Sequence, residues 1–192
     1  MNNSNSSDIA LFGTSADPPT EGHKTILEWL SRHYDQVAVW AASNPLKSKQ
    51  TPLNHRMKML ELMIGSLTTP KANVKLYPEL SHPRSLETVK KAKTLWGDQA
   101  NFTFVIGSDL IPQIRRWYKS EELLRRVNLL IIPRPGYPLT AAELQTLKEM
   151  GTNYQVADIN APPVSSSAYR EKGKEVIDNS VKSYIQQQQL YS

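Results

Sequence analysis

The sequence predicts an α/β fold, a Rossmann-like doubly wound parallel sheet with helices on both faces and a C-terminal helical segment. Three observations predict it. Short, almost continuous apolar runs, such as Gln-Val-Ala-Val-Trp-Ala-Ala at 36–42, read as strands covered on both faces. Segments with apolar residues at helical spacing separate those runs, so strand and helix alternate. Polar loops rich in Gly, Pro and Ser follow the predicted strands, and open parallel sheets bind ligands beyond the C-terminal ends of their strands.

In order, the first predicted strand is Asp8–Thr14, followed by a helix over 20–34 with Ile26, Leu27, Trp29 and Leu30 inward. The strand at 36–42 comes next, then a helix over 53–66 with Met57, Leu60, Met63 and Ile64 on one face. Val74–Leu76 is a short strand, and Ser85 caps a helix over 86–96. A strand over 101–106 runs into Gly107-Ser108-Asp109 and a short bent helical segment over 111–117. Ser120–Arg126 is helical, with Glu121 and Glu122 at its positive end. Asn128–Ile132 is a strand, 140–150 a helix closed by Gly151, and 154–159 a last strand. The chain ends in a helix over 178–190 with Val181, Tyr184 and Ile185 inward.

A length of 192 residues suits one domain, here residues 8–192, after a disordered Asn- and Ser-rich tail at 1–7 with no targeting character. The absence of cysteine excludes a disulfide scaffold and thiolate metal ligation, and fits the reducing cytoplasm. His23, His33, His55 and His82 include no pair at metal-ligand spacing, so no protein-held metal is expected. The net charge of +5 forms no Lys/Arg stripe, which favours a small anion over nucleic acid or a membrane surface. No apolar run is long enough to span a bilayer.

The chemistry gathers around 11–23, Leu-Phe-Gly-Thr-Ser-Ala-Asp-Pro-Pro-Thr-Glu-Gly-His. Small residues such as Gly13, Thr14 and Gly22 admit a ligand to the backbone, and the following helix start offers unpaired N–H groups. Thr20 caps that helix, and His23 sits in its first turn facing the same pocket. Alone, Thr-x-Gly-His occurs by chance, and its plain reading is a capped helix with a structural histidine. Lys47, with Lys49 as competitor, lies beyond the second strand, where a lysine can reach a triphosphate. Ser165-Ser166-Ser167 with Arg170 one turn on can hold phosphate oxygens. Gly107 and Asp109 fit a sugar-binding turn, and Asp109 fits a helix cap equally well. Trp117, preceded by Arg115 and Arg116, can stack on an aromatic ring, although core packing is the commoner fate of tryptophan.

These segments together resemble the (His/Thr)-x-Gly-His nucleotidyltransferases, and within them the bacterial nicotinate mononucleotide adenylyltransferases. Gly13 to His23 is similar to the family's Gly-Gly-Thr-Phe-Asp-Pro-x-His-x-Gly-His, and Arg56 to Leu60 to its Arg-x-x-Met-Leu. Ser85 to Val89 is similar to Thr-x-Asp-Thr-Leu, and Phe104 to Leu110 to Phe-Ile-x-Gly-x-Asp-x-Leu. Trp117, Arg134-Pro135-Gly136, Val164 to Arg170 and Val181 to Tyr191 complete the resemblance in the family's order. The chain departs from the pattern at Phe12 for a glycine, Ser15-Ala16 for one aromatic residue, Thr20 for a histidine, Arg84 for a tyrosine and Ser85 for a threonine.

The resemblance implies transfer of AMP from ATP to nicotinate mononucleotide, giving deamido-NAD and pyrophosphate, with Mg²⁺ accompanying ATP. It implies His23 on the α-phosphate, Thr20 there or on the attacking phosphate, and Lys47 and Arg170 on the β- and γ-phosphates. It places Gly13, Thr14, Gly22, Ser165 and Ser166 beside ATP, Gly107 and Asp109 on its ribose, and Arg134 near the adenine or phosphates. It places Thr14, Arg84, Ser85, Trp117 and Tyr118 around nicotinate mononucleotide, with Trp117 on the pyridine ring. Our own expectation adds that Arg84, or Arg115, pairs with the pyridine carboxylate. Nicotinamide mononucleotide or phosphopantetheine adenylyltransferase, a nucleotide-binding relative without catalysis, and homo-oligomerisation remain open at this level.

Overall fold

The computed structural model of the chain describes residues 6–43, 49–162, 165–172 and 176–192. Its strands are β1 (Asp8–Thr14), β2 (Gln36–Ala41), β3 (Val74–Leu76), β4 (Asn101–Gly107), β5 (Asn128–Ile132) and β6 (Tyr154–Val156). They form one sheet in the order β3-β2-β1-β4-β5-β6, and every adjacent pair is parallel. Its central strands are apolar almost throughout because both faces are covered; Ile9, Leu11, Val39 and Ile131 are fully buried.

The helices are α1 (Glu21–His33), α2 (Leu53–Gly65), α3 (Ser85–Trp96), α4 (Ser120–Arg126), α5 (Ala141–Glu149), α6 (Ser166–Lys172) and α7 (Asn179–Gln187). Strand order runs outward from β1 in one direction and from β4 in the other. Parallel crossovers are right-handed, so the connecting helices of the two halves cover opposite faces. The reversal opens a crevice beyond the carboxyl ends of β1 and β4, the expected ligand position in such a sheet.

The closing segment docks beside that crevice. Val181 and Ile185 of α7 are buried, and the Tyr184 hydroxyl is 2.8 Å from His55 Nδ1 on α2. Lys24 on α1 pairs with Asp178 at 3.1 Å, and the Glu21 N–H donates to the Val176 carbonyl.

Several local expectations change. Ser85 is the first residue of α3 and Arg84 its N-cap, without a capping side-chain bond. The bent segment after β4 is a 3₁₀ helix over Ser108–Arg116 that starts directly at the strand end. β6 stops at Val156, short of 159. Ahead of β1, the Asn101 N–H donates to the Ser7 carbonyl at 3.0 Å and its Nδ2 to Ser6 Oγ at 2.9 Å. Residues 1–5 lie outside the described residues.

Candidate active site

One wall of the crevice is the β1–α1 loop. Ala16 takes a left-handed backbone, φ 48°, and is fully buried. The Asp17–Pro18 peptide bond is cis. Asp17 is 2% exposed, and its carboxylate accepts the Thr51 N–H at 3.3 Å and the Tyr191 hydroxyl at 2.6 Å. Arg56 supports the loop from α2. Its guanidinium is buried and donates to the carbonyls of Ser15, Ala42 and Thr51 at 2.8–3.0 Å. A buried guanidinium needs such acceptors, and here they tie the β1–α1 loop to the β2–α2 connection.

His23 sits where α1 begins. The Thr20 N–H donates to its Nδ1 at 3.0 Å, which makes Nδ1 the acceptor and leaves the ring proton on Nε2. Nε2 lies 2.9 Å from Thr14 Oγ1. Burial, and then the charge of Arg134, lower the imidazole pKa to about 4. The ring is therefore a neutral N–H donor at neutral pH. Thr20 is fully buried, with its hydroxyl 3.0 Å from His23 Nδ1. Thr20 thus stands on the Nδ1 side of the imidazole.

Gly13 also reads differently in three dimensions. It lies opposite Trp40 in the β1–β2 register, and a Cβ on it would stand 2.5 Å from the indole. The room it leaves is filled by Trp40 on its side-chain face. Trp40 leans on Phe104 at 6.4 Å, and Phe104 meets Trp117 edge to face at 6.3 Å. Trp117 is thus half-buried at one end of an aromatic row that begins over Gly13.

Across the switch point, Gly107, Asp109 and Arg134 come together. A Cβ on Gly107 would collide with Asp109 Oδ1 and stand 2.8 Å from Arg134 Cδ. Asp109 Oδ1 is buried without a hydrogen-bond partner; Arg134 Nε is 3.7 Å away. Ser108 holds the arrangement, accepting the Arg134 N–H at 2.9 Å and donating to the Tyr137 carbonyl at 2.8 Å.

The α6 start packs on the first wall. Ser165 Oγ accepts the Ala168 N–H, and Ser166 Oγ donates to the Pro18 carbonyl at 2.7 Å. The Ser166 hydroxyl thereby ties the start of α6 to the β1–α1 loop. Arg170 donates to the Asp17 carbonyl through Nη1 and to Ser167 Oγ through Nη2. At the rim, the Arg84 guanidinium lies over the Tyr118 ring at 4.2 Å. Arg115 instead pairs with Glu149 at 3.0 Å. Ser85 is half-buried beside it and Gly22 is buried in α1. Lys47 lies outside the described residues, and its competitor Lys49 is exposed.

A family model described as cytidylyltransferase-like matches residues 11–172. The probable nicotinate-nucleotide adenylyltransferase of Synechocystis sp. is 45% identical, over 95% of this chain and 98% of its own length. The chain belongs to the nicotinate-nucleotide adenylyltransferase family. The nicotinate-nucleotide adenylyltransferase of Bacillus subtilis is 28% identical over 95% of this chain and 97% of its own. A structure of the Plasmodium falciparum nicotinic acid mononucleotide adenylyltransferase complexed with NaAD superposes with a TM-score of 0.82. It covers 96% of this chain and 97% of its own at 24% identity, a likeness of fold.

Sequence reasoning missed Asp17, Ser108 and Tyr191 as site-building residues, and Arg56 as more than a motif match. The burial that marks out Asp17 and Arg56 exists only in the folded chain.

Proposed function

We propose that the chain is an adenylyltransferase joining the AMP of ATP to nicotinate mononucleotide, with deamido-NAD and pyrophosphate as products, in NAD biosynthesis. The observation that carries the reading is the neutral Nε2–H of His23, held at the switch-point crevice by the Thr20 N–H. The acceptor is supported by the relative that is 45% identical.

The attacking group is the 5′-phosphate of nicotinate mononucleotide. Its oxygen forms a bond to the α-phosphorus of ATP while the bond from that phosphorus to the bridging oxygen breaks, and pyrophosphate leaves with the electron pair. No protein nucleophile takes part, so the residues' work is positioning and charge stabilisation. His23 Nε2–H turns from Thr14 Oγ1 to an α-phosphate oxygen, where it meets the charge that grows in the transition state. A neutral donor suits that task because it neither needs nor releases a proton. Arg134, Arg170 and Lys47 neutralise the polyphosphate. Gly107 and the part-exposed Asp109 carboxylate receive the ribose hydroxyls, and Ser165 and Ser166 frame the triphosphate side. Gly13 and Gly22 shape the loop on which ATP lies, with Thr14 between the two substrates. Trp117 stacks on the pyridine ring, and Arg84, with Ser85 and Tyr118 beside it, faces the carboxylate.

Among the described residues no group of three His, Asp or Glu side chains could hold a metal ion. Magnesium would accompany ATP and supply charge neutralisation at the triphosphate. No described helix is long and apolar enough to cross a membrane, and we assign the reaction to the cytoplasm, without nucleic acid or membrane as partner. Pyrophosphate release from ATP, compared with nicotinate mononucleotide, nicotinamide mononucleotide and phosphopantetheine as acceptors, tests the reading. Turnover is expected to be highest with nicotinate mononucleotide; equal or better use of another acceptor overturns it.

A further inference from the structure

Asp17 and Arg170 stand close without pairing fully. Arg170 Nη1 is 4.0 Å from Asp17 Oδ2, although the carboxylate is buried and its carbonyl already binds the same guanidinium. Carboxylate and guanidinium at this distance usually close into a two-pronged pair. Here Oδ1 is taken by the Tyr191 hydroxyl at 2.6 Å, and Oδ2 accepts the Thr51 N–H. The Arg170 side chain stays 38% exposed.

Tyr191 is built for this contact. Its backbone is left-handed, φ 62°, a conformation that costs a bulky residue energy and persists only where surrounding contacts enforce it. Its ring meets Tyr169 edge to face at 5.9 Å, and Tyr169 precedes Arg170 on α6. One side chain therefore touches both the phosphate loop, through Asp17, and the helix that carries Arg170. Burial, followed by the bond to Asp17, pushes the phenol pKa up, so it remains a donor.

We infer that Tyr191 is a positioning residue for ATP: by satisfying the Asp17 carboxylate, its hydroxyl leaves Arg170 available to the triphosphate. The inference goes beyond the proposed reaction and rests on that reading only in taking ATP as the ligand. It assigns the segment after α7 a part in substrate binding that contact with substrate would not reveal.

The Tyr191→Phe variant tests it, because the ring stays on Tyr169 and only the hydroxyl is lost. The freed carboxylate should draw Arg170 in and weaken ATP binding by about five- to tenfold, read as Kd by calorimetry and as KM for ATP. KM for nicotinate mononucleotide should stay within about twofold, and so should kcat. Adding Asp17→Asn removes the charge that captures Arg170 and should recover most of the lost ATP affinity. Unchanged ATP affinity in Tyr191→Phe overturns the inference. So do parallel losses for both substrates that Asp17→Asn does not relieve, the pattern of a merely structural residue. The calorimetric comparison needs no acceptor, so a wrong acceptor assignment would show as absent turnover while the Kd comparison still decides the role of Tyr191.

Discussion

The hydrogen-bond direction at a single imidazole organises the chemistry. Because the Thr20 N–H occupies Nδ1, protonating His23 would require breaking that bond inside a desolvated pocket beside Arg134. A nuclear magnetic resonance titration should therefore place the His23 midpoint at about 4, not at 6.5. The sign for stability follows. The unfolded chain takes up a proton at this ring near the ordinary value, and the folded chain only lower. His23 thus costs no stability at neutral pH and destabilises the fold progressively as pH falls from about 6.5 toward 4. In catalysis, His23→Ala should lower kcat by a factor on the order of 10²–10³ with ATP binding largely kept, the signature of one lost transition-state donor. Steady-state kinetics beside ATP calorimetry would separate that from a binding defect. Arg84 offers a second residue-scale test. Its guanidinium rests on Tyr118 with no carboxylate paired to it among the described residues, whereas Arg115 is held by Glu149. A neutral amide would leave that charge unmatched, so Arg84→Ala should reduce the acid-to-amide ratio of kcat/KM by about tenfold. An unchanged ratio would move the preference elsewhere.

The elements at the crevice show why glycines of similar appearance in sequence do different work. At the end of β1, Gly13 makes room for Trp40 in the core, and at the end of β4, Gly107 makes room for Asp109 and Arg134 at the surface of the site. Gly13→Ala should therefore cost about 1–3 kcal/mol in urea denaturation, as overpacking does. Gly107→Ala should force Asp109 and the Arg134 stem aside and raise KM for ATP, because its Cβ would meet side chains of the site instead of a packed core indole. Both glycines drew notice in the sequence, but the distinction depends on the register that sets Gly13 against Trp40, and no pattern along one strand carries a register. The strands themselves were legible because parallel strands covered on both faces are continuously apolar, and the helices because their apolar spacing is regular. The 3₁₀ helix over Ser108–Arg116 was read three residues late, since Pro112 and the polar start hide its beginning. The site's supports were least legible. Tyr191 binds Asp17 across 174 residues of chain, and Ser108 binds Tyr137 across a strand connection, contacts that only the closed fold brings together.

At the scale of the molecule, the site is assembled from both halves of the sheet and closed by the last helix, so its integrity depends on how α7 is anchored. The Lys24–Asp178 pair fastens the start of α7 to the helix that carries His23. Burial disfavours the Asp178 charge, but hydrogen bonds from Ser180 and Ser66 and the Lys24 ammonium outweigh it and hold the carboxyl far below its usual range. A carboxyl depressed in the folded state contributes stability above the unfolded value of 3.8 and loses it as pH falls through that value toward the folded one. Asp178→Asn should thus lower the thermal midpoint by about 3–8 °C at pH 7. The gap from wild type should narrow as pH is taken from about 4 toward 2, because the unfolded chain takes up a proton at Asp178 over that range while the folded carboxyl resists it. Calorimetric melts of both proteins at several pH values would read this directly. A gap that stays constant with pH would assign the effect to the Asp178 cap on Ser180 alone, not to its charge. Activity should follow the melts: below its own midpoint the variant keeps His23 and Arg170 in place, so its kcat at moderate temperature should match wild type, and the loss should appear only as heating frees α7 from α1.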